Sequence, residues 1–404
     1  MKINNKSLIK QPMKKASLLI SSFSFCVSFL LFSSSYILNL PFPYPYLFYT
    51  LALIWILGLL LSFEIKVVSS LENQKNVYFL FSLIIIIGML SSFYFQNFSI
   101  LPVLSKIITI FICLLSFTLG DIATRNKDCL ILFAKYIMFF SLIGFGISFV
   151  DDNLNKNWIG LLILYSLIFK VYIENRSPLF VAVIFSLSAI IIFFTLLSRG
   201  VTLALIIPSF IISLFIITKK INKIFFKKII YFTGFVIFLS SLTTPLVGSY
   251  LYNSNLYWKL DSISRELSSK NLDSSRLERW QPAVMKTIKD SPVLGFGIEA
   301  AIGRTIKTEN VGSAIHNLWV EVFFRFGLLG LIFYIGFFLW LFKKINKRNS
   351  FYGGIAIISF SVSLSVYGLG GFTHWPGTFA FWFLLSILAY SKPIDTRPEE
   401  ITIS

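Results

Sequence analysis

Two arginines of this chain are candidates for phosphate binding. Arg199 lies in a tight turn between two apolar runs, and Arg276 lies in a polar stretch with Arg279 one helical turn later. A guanidinium group is permanently charged and presents a planar fork of N–H donors that matches phosphate oxygens. We therefore predict a phosphate site at Arg199 and Arg276, with Arg279 and Arg304 as weaker candidates. The alternatives are a snorkelling side chain for Arg199 and a solvated helix face for the other pair.

His316 is the candidate for proton transfer. Imidazole titrates near neutral pH and can accept a proton from a hydroxyl group. His316 precedes Asn317, a weaker site candidate, at the start of an apolar run. Glu321 follows a little over one helical turn later and could orient the ring, but an ion pair with Arg325 is the alternative. A lone histidine is often structural, and we interpret the second histidine, His374, as an interfacial residue.

The sequence lacks the motifs that are typical of nucleotide binding, serine hydrolysis and metal binding. It contains no glycine-rich phosphate loop ending in lysine, so no ATP site is predicted, and no Gly-x-Ser-x-Gly nucleophile elbow. The polar stretches show no paired acidic motif for a divalent metal. Cys26, Cys113 and Cys129 lie in or beside apolar runs without metal-ligand spacing. We therefore expect neither a metal ion nor a cofactor.

The composition is that of a membrane protein. Of the 404 residues, 56% are hydrophobic and 13% are charged, with a mean hydropathy of +0.79. Apolar runs of about 18 residues or more recur along the chain, and each is long enough to cross a bilayer as a helix. The fold class is therefore predicted as an all-α polytopic membrane protein. The net charge of +18 lies mostly in short loops, which the positive-inside rule explains without a nucleic-acid partner.

About twelve spans are predicted, with one large and partly helical periplasmic loop after the ninth. The domains are an N-terminal membrane domain at 1–247, the loop at 248–316, the C-terminal spans at 317–391 and a cytoplasmic tail at 392–404. The individual spans are expected at about 16–38, 44–63, 76–95, 100–120, 129–150, 158–174, 178–198, 201–218, 229–247, 317–342, 352–371 and 378–391.

The basic loops set the orientation. With the N-terminus in the cytoplasm, the dense clusters at 219–228 and 343–348 fall inside, and the opposite short loops carry almost no positive charge. Lys106 and Lys156 are the exceptions. This orientation places the turn at Arg199 and the long loop together on the outer side.

The long loop is predicted to contain a helix. Asp273 or Ser274 can cap its start, and apolar residues then recur at helical spacing from Leu277 to Ile288, with Lys286, Lys289 and Asp290 on another face. Pro282 is expected to kink this helix or split it in two. Ser291-Pro292 should end it. Gly295 and Gly297 then permit a close approach of the backbone to another part of the molecule.

In three blocks of residues the chain resembles the O-antigen ligase and polymerase superfamily of bacterial inner membranes. The outer turn, the loop helix with its glycines, and the histidine with the glycines after it each resemble a family motif. The blocks consist of Arg199 with Leu203; Arg276 with Trp280, Ser291-Pro292, Gly295 and Gly297; and His316-Asn317 with Gly327 and Gly330.

This resemblance implies an inverting glycosyl transfer without metal or nucleotide. Arg199 and Arg276 would bind the pyrophosphate of an undecaprenyl-linked polysaccharide donor and stabilise the charge that develops on it. His316 would activate a sugar hydroxyl of the acceptor, lipid A–core. The resemblance also implies a multi-pass protein of the Gram-negative inner membrane with its active site facing the periplasm. The first expectation is therefore an O-antigen ligase.

Other functions remain open at this stage. An O-antigen polymerase of the same superfamily would use a sugar of another lipid-linked unit as acceptor. A protein O-oligosaccharyltransferase is a lower alternative, because a larger outer region is expected for docking a protein. A lipid-oligosaccharide flippase would carry polar groups near mid-membrane and two similar halves, which this sequence does not show. A purely structural membrane subunit does not account for the three blocks.

Overall fold

The structure is a computed structural model that describes most of the chain, with gaps between and beyond the helices. All of its regular secondary structure is α-helical, so the predicted all-α class is confirmed for this part of the chain. The described residues are 5–33, 44–63, 74–94, 100–150, 156–174, 177–196, 198–217, 223–251, 274–300, 317–347, 351–367 and 376–390.

Thirteen helices follow one another in these ranges, and twelve of them overlap the predicted spans. The thirteenth, α10, is the helix predicted inside the long loop. The first helix begins at Asn5, well before the start expected at about residue 16. In chain order the helices are α1 (Asn5–Ser33), α2 (Tyr44–Phe63), α3 (Lys75–Tyr94), α4 (Ile100–Ala123), α5 (Lys127–Val150), α6 (Lys156–Glu174), α7 (Pro178–Leu196), α8 (Arg199–Ile217), α9 (Lys223–Leu251), α10 (Ser274–Asp290), α11 (Leu318–Lys347), α12 (Phe351–Tyr367) and α13 (Pro376–Tyr390).

Within the described ranges, five helices contain segments that are long and apolar enough to cross a membrane, in accordance with a membrane protein. Shorter apolar segments lie in six further helices, among them α6, α8, α12 and α13. The count of twelve spans, the domain boundaries and the side on which the loop lies stay predictions. The five segments are Val77–Tyr94, Pro102–Ala123, Lys127–Ser148, Pro178–Leu196 and Leu318–Ile345.

The centre of the bundle is formed by helices that are buried on all sides. In α13 every residue from 378 to 390 is buried, and in α6 the same holds for residues 159–169. The Trp382 ring of α13 lies 5.1 Å from Phe81 of α3 and 5.5 Å from Phe337 of α11, measured between ring centroids. These rings tie the last helix to the two helices that carry the candidate site.

Small residues allow α4 and α13 to pack closely. A Cβ atom added at Gly120 would lie 2.4 Å from the carbonyl oxygen of Phe383. Close backbone contact of this kind is typical of helices that associate inside membranes. By contrast, α7 at the periphery buries one face and leaves Leu187 and Phe194 largely exposed. That exposed apolar face is what a lipid-facing helix requires.

Candidate functional site

The largest helix of the site, α11, is broken inside. Gly327 has φ of 60° and ψ of −158°, which interrupts the helix nine residues after its start. The carbonyl groups of Phe324 and Arg325 accept hydrogen bonds from the N–H groups of Phe296 and Gly297, each at 2.9 Å. The loop after α10 therefore supplies partners for carbonyls on the first half of α11.

The same loop also pairs with the second half of α11. The N–H groups of Leu328 and Leu329 donate to the carbonyl oxygens of Pro292 and Val293, at 2.8 Å and 3.2 Å. A backbone break at membrane depth is tolerated only where protein supplies the missing partners. We call the segment Ser291–Ala300 together with the break at Gly327 the loop–helix lock.

Glycines make the lock possible. Gly295 and Gly297 have φ of 69° and 102°, a region that favours glycine. A Cβ atom at Gly295 would lie 2.5 Å from the carbonyl carbon of Arg325, and one at Gly327 would lie 2.3 Å from the Val293 oxygen. The close approach predicted for Gly295 and Gly297 is therefore confirmed, and its partners are the broken helix and α3.

Helix α3 supports the lock from a third direction. The Ser91 hydroxyl donates to the Gly295 carbonyl at 2.5 Å, and the Ile298 N–H donates to the Ser92 hydroxyl at 3.1 Å. The Ile298 N–H also lies 3.2 Å from the Gly88 carbonyl oxygen. The sequence pattern did not single out Gly88, Ser91 or Ser92 as partners of the loop, because glycine and serine are common in apolar helices. The lock thus joins α3, α10 and α11.

Helix α10 ends at Asp290, immediately before Ser291-Pro292 as predicted, and Pro282 does not split it. Trp280, Ala283 and Val284 form its buried face, whereas Ile288, expected on that face, is 40% exposed. On the exposed side Lys286 and Asp290 form an ion pair at 2.8 Å. The hydrogen bond from Lys286 lowers the pKa of the Asp290 carboxyl below its usual value.

Asn317 caps the start of α11. Its side-chain oxygen accepts hydrogen bonds from the N–H groups of Trp319 and Val320, at 3.0 Å and 3.2 Å. Its backbone carbonyl accepts the N–H of Glu321 at 3.1 Å. These are the contacts of an N-cap asparagine, so Asn317 fixes the point at which the chain enters α11. His316 is the residue immediately before this cap.

Glu321 and Arg325 form an ion pair within α11. The Nε atom of Arg325 lies 3.2 Å from a Glu321 carboxylate oxygen, and both side chains are 12% exposed. Arg325 also donates from Nη1 to the Ile298 carbonyl at 2.6 Å. The ion pair considered as the alternative for Glu321 is therefore present. Through this second contact Arg325 links the ion pair to the lock.

For the remaining site candidates, the structure describes either the backbone alone or nothing. Arg199 is the first residue of α8, directly after buried Ser198, whose carbonyl accepts the Thr202 N–H at 3.0 Å. Arg276 and Arg279 lie in the first turns of α10, which packs against α9 and α11. The side chains of these three arginines lie outside the described part of the structure. Arg304 and His316 lie outside it entirely.

Residues 156–335 match the model of a protein family described as O-antigen ligase. The resemblance to the O-antigen ligase and polymerase superfamily is confirmed. The matched range includes the start of α8, all of α10, the loop–helix lock and the first half of α11. Members of this superfamily are membrane glycosyltransferase-like enzymes that act on lipid-linked polysaccharide, so the match supports an enzyme of this class. No curated protein and no solved structure matches the chain.

Proposed function

We propose that this protein is an O-antigen ligase. It transfers polysaccharide from undecaprenyl pyrophosphate to a sugar hydroxyl of lipid A–core, at the periplasmic face of a Gram-negative inner membrane. The observation that carries the proposal is the match of 156–335 to the O-antigen ligase family. The loop–helix lock supports it, because backbone hydrogen bonds join the loop that follows the helix of Arg276 to the helix that begins after His316.

In this proposal the reaction is a single displacement. The acceptor oxygen attacks the anomeric carbon of the donor, the bond from that carbon to the phosphate oxygen breaks, and undecaprenyl pyrophosphate leaves. His316 takes the proton of the attacking hydroxyl as general base. Arg199 and Arg276 bind the pyrophosphate and stabilise its negative charge as the bond breaks. Arg279 and Arg304 are the weaker candidates for the same role.

The donor explains why the proposal needs neither nucleotide nor metal. Pyrophosphate is a good leaving group when guanidinium groups neutralise its charge, so the bond to the sugar already holds the energy for transfer. The permanently charged arginines perform the electrostatic task that a divalent cation performs in other transferases.

A deletion strain tests this function. The lipopolysaccharide is resolved on a gel, and the polysaccharide bound to undecaprenyl pyrophosphate is measured in the same cells. A ligase predicts loss of all attached O antigen together with accumulation of long lipid-linked polymer. Core bearing one repeat unit, with no long polymer in either pool, would instead identify a polymerase. An unchanged ladder would exclude both.

Complementation of this strain then tests the residues. We expect His316→Ala and Arg276→Ala to leave the ladder absent although the protein reaches the membrane at normal levels. His374→Ala serves as the matched control, because it removes the other histidine and should restore the ladder. Restoration by His316→Ala would remove the general base from the mechanism.

A further inference from the structure

One side of the loop–helix lock is apolar and uncovered. Ile288, in the last turn of α10, and Val293, in the loop that follows, are both exposed, and so is Pro292 between them. The sequence pattern placed Ile288 on the buried face of α10, but the structure leaves its side chain outside that face. Apolar side chains that cluster on a protein surface mark an interaction site.

The exposed patch continues onto α11. Leu328 and Leu329, directly after the break, are also exposed. Their N–H groups donate to the carbonyl oxygens of Pro292 and Val293, so the loop and the helix are in direct backbone contact at this patch. We call the five exposed apolar residues of this patch the lock surface: Ile288, Pro292, Val293, Leu328 and Leu329.

The lock surface lies at one end of an apolar stripe on α11. No residue from 317 to 327 is exposed, because protein encloses this part of the helix on all sides. Beyond the break, exposed positions recur every three or four residues, which is the spacing of one helix face. The stripe belongs to the segment Leu318–Ile345, which is long and apolar enough to cross a membrane, so lipid chains are its expected contact. Its members are Leu328, Ile332, Gly336 and Leu339.

The backbone beneath the lock surface is paired within the protein. The carbonyl groups of Pro292 and Val293 are taken by α11, and proline has no N–H group that needs a partner. The Gly295 carbonyl accepts the hydroxyl groups of Ser91 and Ser291, at 2.5 Å and 2.7 Å. An exposed loop in water can leave such groups to the solvent, whereas hydrocarbon requires a partner within the protein. This pairing is therefore what contact with lipid requires.

Charged residues lie on the other flank of α10. Lys286 and Asp290 come two residues before and two residues after Ile288, so they project from the opposite side of the helix. Their charged atoms are 2.8 Å apart, and the Lys286 Nζ atom lies 5.5 Å from the centre of the Phe296 ring. A helix with an apolar flank and a charged flank that contains lysine is typical of a membrane interface.

We propose that the lock surface contacts the hydrocarbon chains of the membrane, so that the bilayer holds this end of the long loop while the charged flank of α10 faces water. The partner is lipid because the lock surface is continuous with the apolar stripe of a membrane-crossing segment. This inference goes beyond the proposed function, since it holds equally for a ligase and for a polymerase.

Spin labels test this contact in the full-length protein, reconstituted in vesicles of phosphatidylethanolamine and phosphatidylglycerol. A nitroxide is attached at Val293→Cys, and its accessibility to oxygen, which concentrates in hydrocarbon, is compared with its accessibility to a water-soluble nickel chelate. The background is a parent protein that carries Cys129→Ser. This change removes the partly buried native thiol, whereas Cys26 and Cys113 are buried.

Two further label positions are the references. Ile332→Cys reports the apolar stripe of α11, and Lys289→Cys reports an exposed charged position of α10. We expect Val293→Cys to resemble Ile332→Cys, with accessibility to oxygen above that to nickel. Higher accessibility to nickel, as expected for Lys289→Cys, would place the lock surface in water and overturn the proposal. Low accessibility to both reagents would mean that protein covers the surface, for example a second copy of this chain, and would also overturn it.

Two substitutions of Val293 provide an independent check by thermal unfolding in the same vesicles. Val293→Leu keeps an apolar side chain against lipid and should leave the melting temperature unchanged. Val293→Asp places a charge in hydrocarbon and should lower it by a few degrees. No change in either variant would indicate contact with water, and a loss in both would indicate a packed protein contact, so each result contradicts the proposal. Neither readout uses the transfer reaction, so a failure here leaves the proposed function intact.

Discussion

Among the described residues, an acid precedes an arginine by four residues both in α11 and at the end of α4. In α11 the Glu321 and Arg325 side chains are both 12% exposed, and their charged atoms lie 3.2 Å apart. At the end of α4, Asp121 is 7% exposed, Arg125 is 42% exposed, and the distance is 3.6 Å. The spacing is the same, but only the pair of α11 is enclosed on both sides.

The surroundings explain the difference. The Asp121 carboxylate accepts a hydrogen bond from the Gln74 amide at 3.2 Å. It therefore has a neutral partner in addition to Arg125, which extends to the surface. Arg325 instead reaches a carbonyl of another segment, the Ile298 oxygen. An exposed pair contributes little to stability, whereas an enclosed pair that bridges two segments becomes necessary once both charges are buried. One pair supports a helix end and the other supports the candidate site.

The largest effect is expected where the site depends on backbone contact rather than on charge. Gly295→Ala would place a methyl group 2.5 Å from the carbonyl carbon of Arg325 and force φ of 69° on alanine. We expect a loss of about 3 kcal/mol or more of unfolding free energy, or no folded protein. Thermal unfolding in detergent measures it.

The control for this variant is Gly146→Ala in α5, where an added Cβ atom meets nothing within 4 Å. Alanine has the higher helix propensity, so Gly146→Ala should change stability by less than about 1 kcal/mol, in the stabilising direction. Equal losses in the two glycine variants would mean that the lock is not a special point of the fold.

Removal of each arginine tests the two ion pairs directly. Arg325→Met leaves the Glu321 carboxylate enclosed without its partner, and we expect a cost of about 3–5 kcal/mol. Arg125→Met removes a half-exposed charge and should cost about 1 kcal/mol or less. Chemical or thermal unfolding of both variants measures the difference.

The double variant Glu321→Gln with Arg325→Met sharpens this result. Because the carboxylate is neutralised, it should recover a substantial part of the loss seen in Arg325→Met. If the double variant is less stable than Arg325→Met alone, the enclosed charge is not the source of the cost.

The two asparagine caps provide a smaller comparison. Asn317 caps α11 beside the candidate site, and Asn126 caps α5 through a 3.2 Å hydrogen bond from the Cys129 N–H. Alanine at either position should cost about 1 kcal/mol, because each substitution leaves N–H groups of a first turn without a partner. Only Asn317→Ala should also lower ligation by the complemented strain, since His316 precedes it. Equal ligation in the two variants would show that the cap at α11 has no role beyond stability.

The smallest effect concerns pH on the exposed face of α10. Lys286 and Lys289 lower the pKa of Asp290, with the hydrogen bond from Lys286 as the main cause. A lowered carboxyl pKa stabilises the fold above the pKa of the unfolded chain, and this contribution is lost as the pH falls through the folded pKa. We expect Lys286→Ala to raise the pKa of Asp290 toward its usual value, measurable by NMR titration of the carboxyl carbon. An unchanged pKa would mean that Lys289 alone perturbs it.

Much of the architecture near the site followed from local patterns. The apolar runs predicted the helices, Ser291-Pro292 predicted the end of α10, and the spacing of Gly295 and Gly297 predicted a close backbone approach. One local expectation differed from the structure, since Ile288 lies off the buried face of α10. Of the two outcomes expected for Pro282, the split of α10 does not occur. The roles of Arg199, Arg276 and His316 stay predictions, because their side chains lie outside the described residues.

The sequence by itself determined the properties that depend on neighbouring residues. These are the presence of the helices, the points at which they end, the charge and the membrane environment. Hydropathy and backbone preferences act over a few residues, so they can be read along the chain. The tertiary structure decided which buried polar groups pair with one another. It set the break at Gly327 against the carbonyls of Pro292 and Val293, the support from Ser91 and Ser92, and the reach of Arg325 to Ile298. These contacts join residues far apart in the chain. Satisfaction of buried polar groups depends on which segments meet, and no local pattern specifies that.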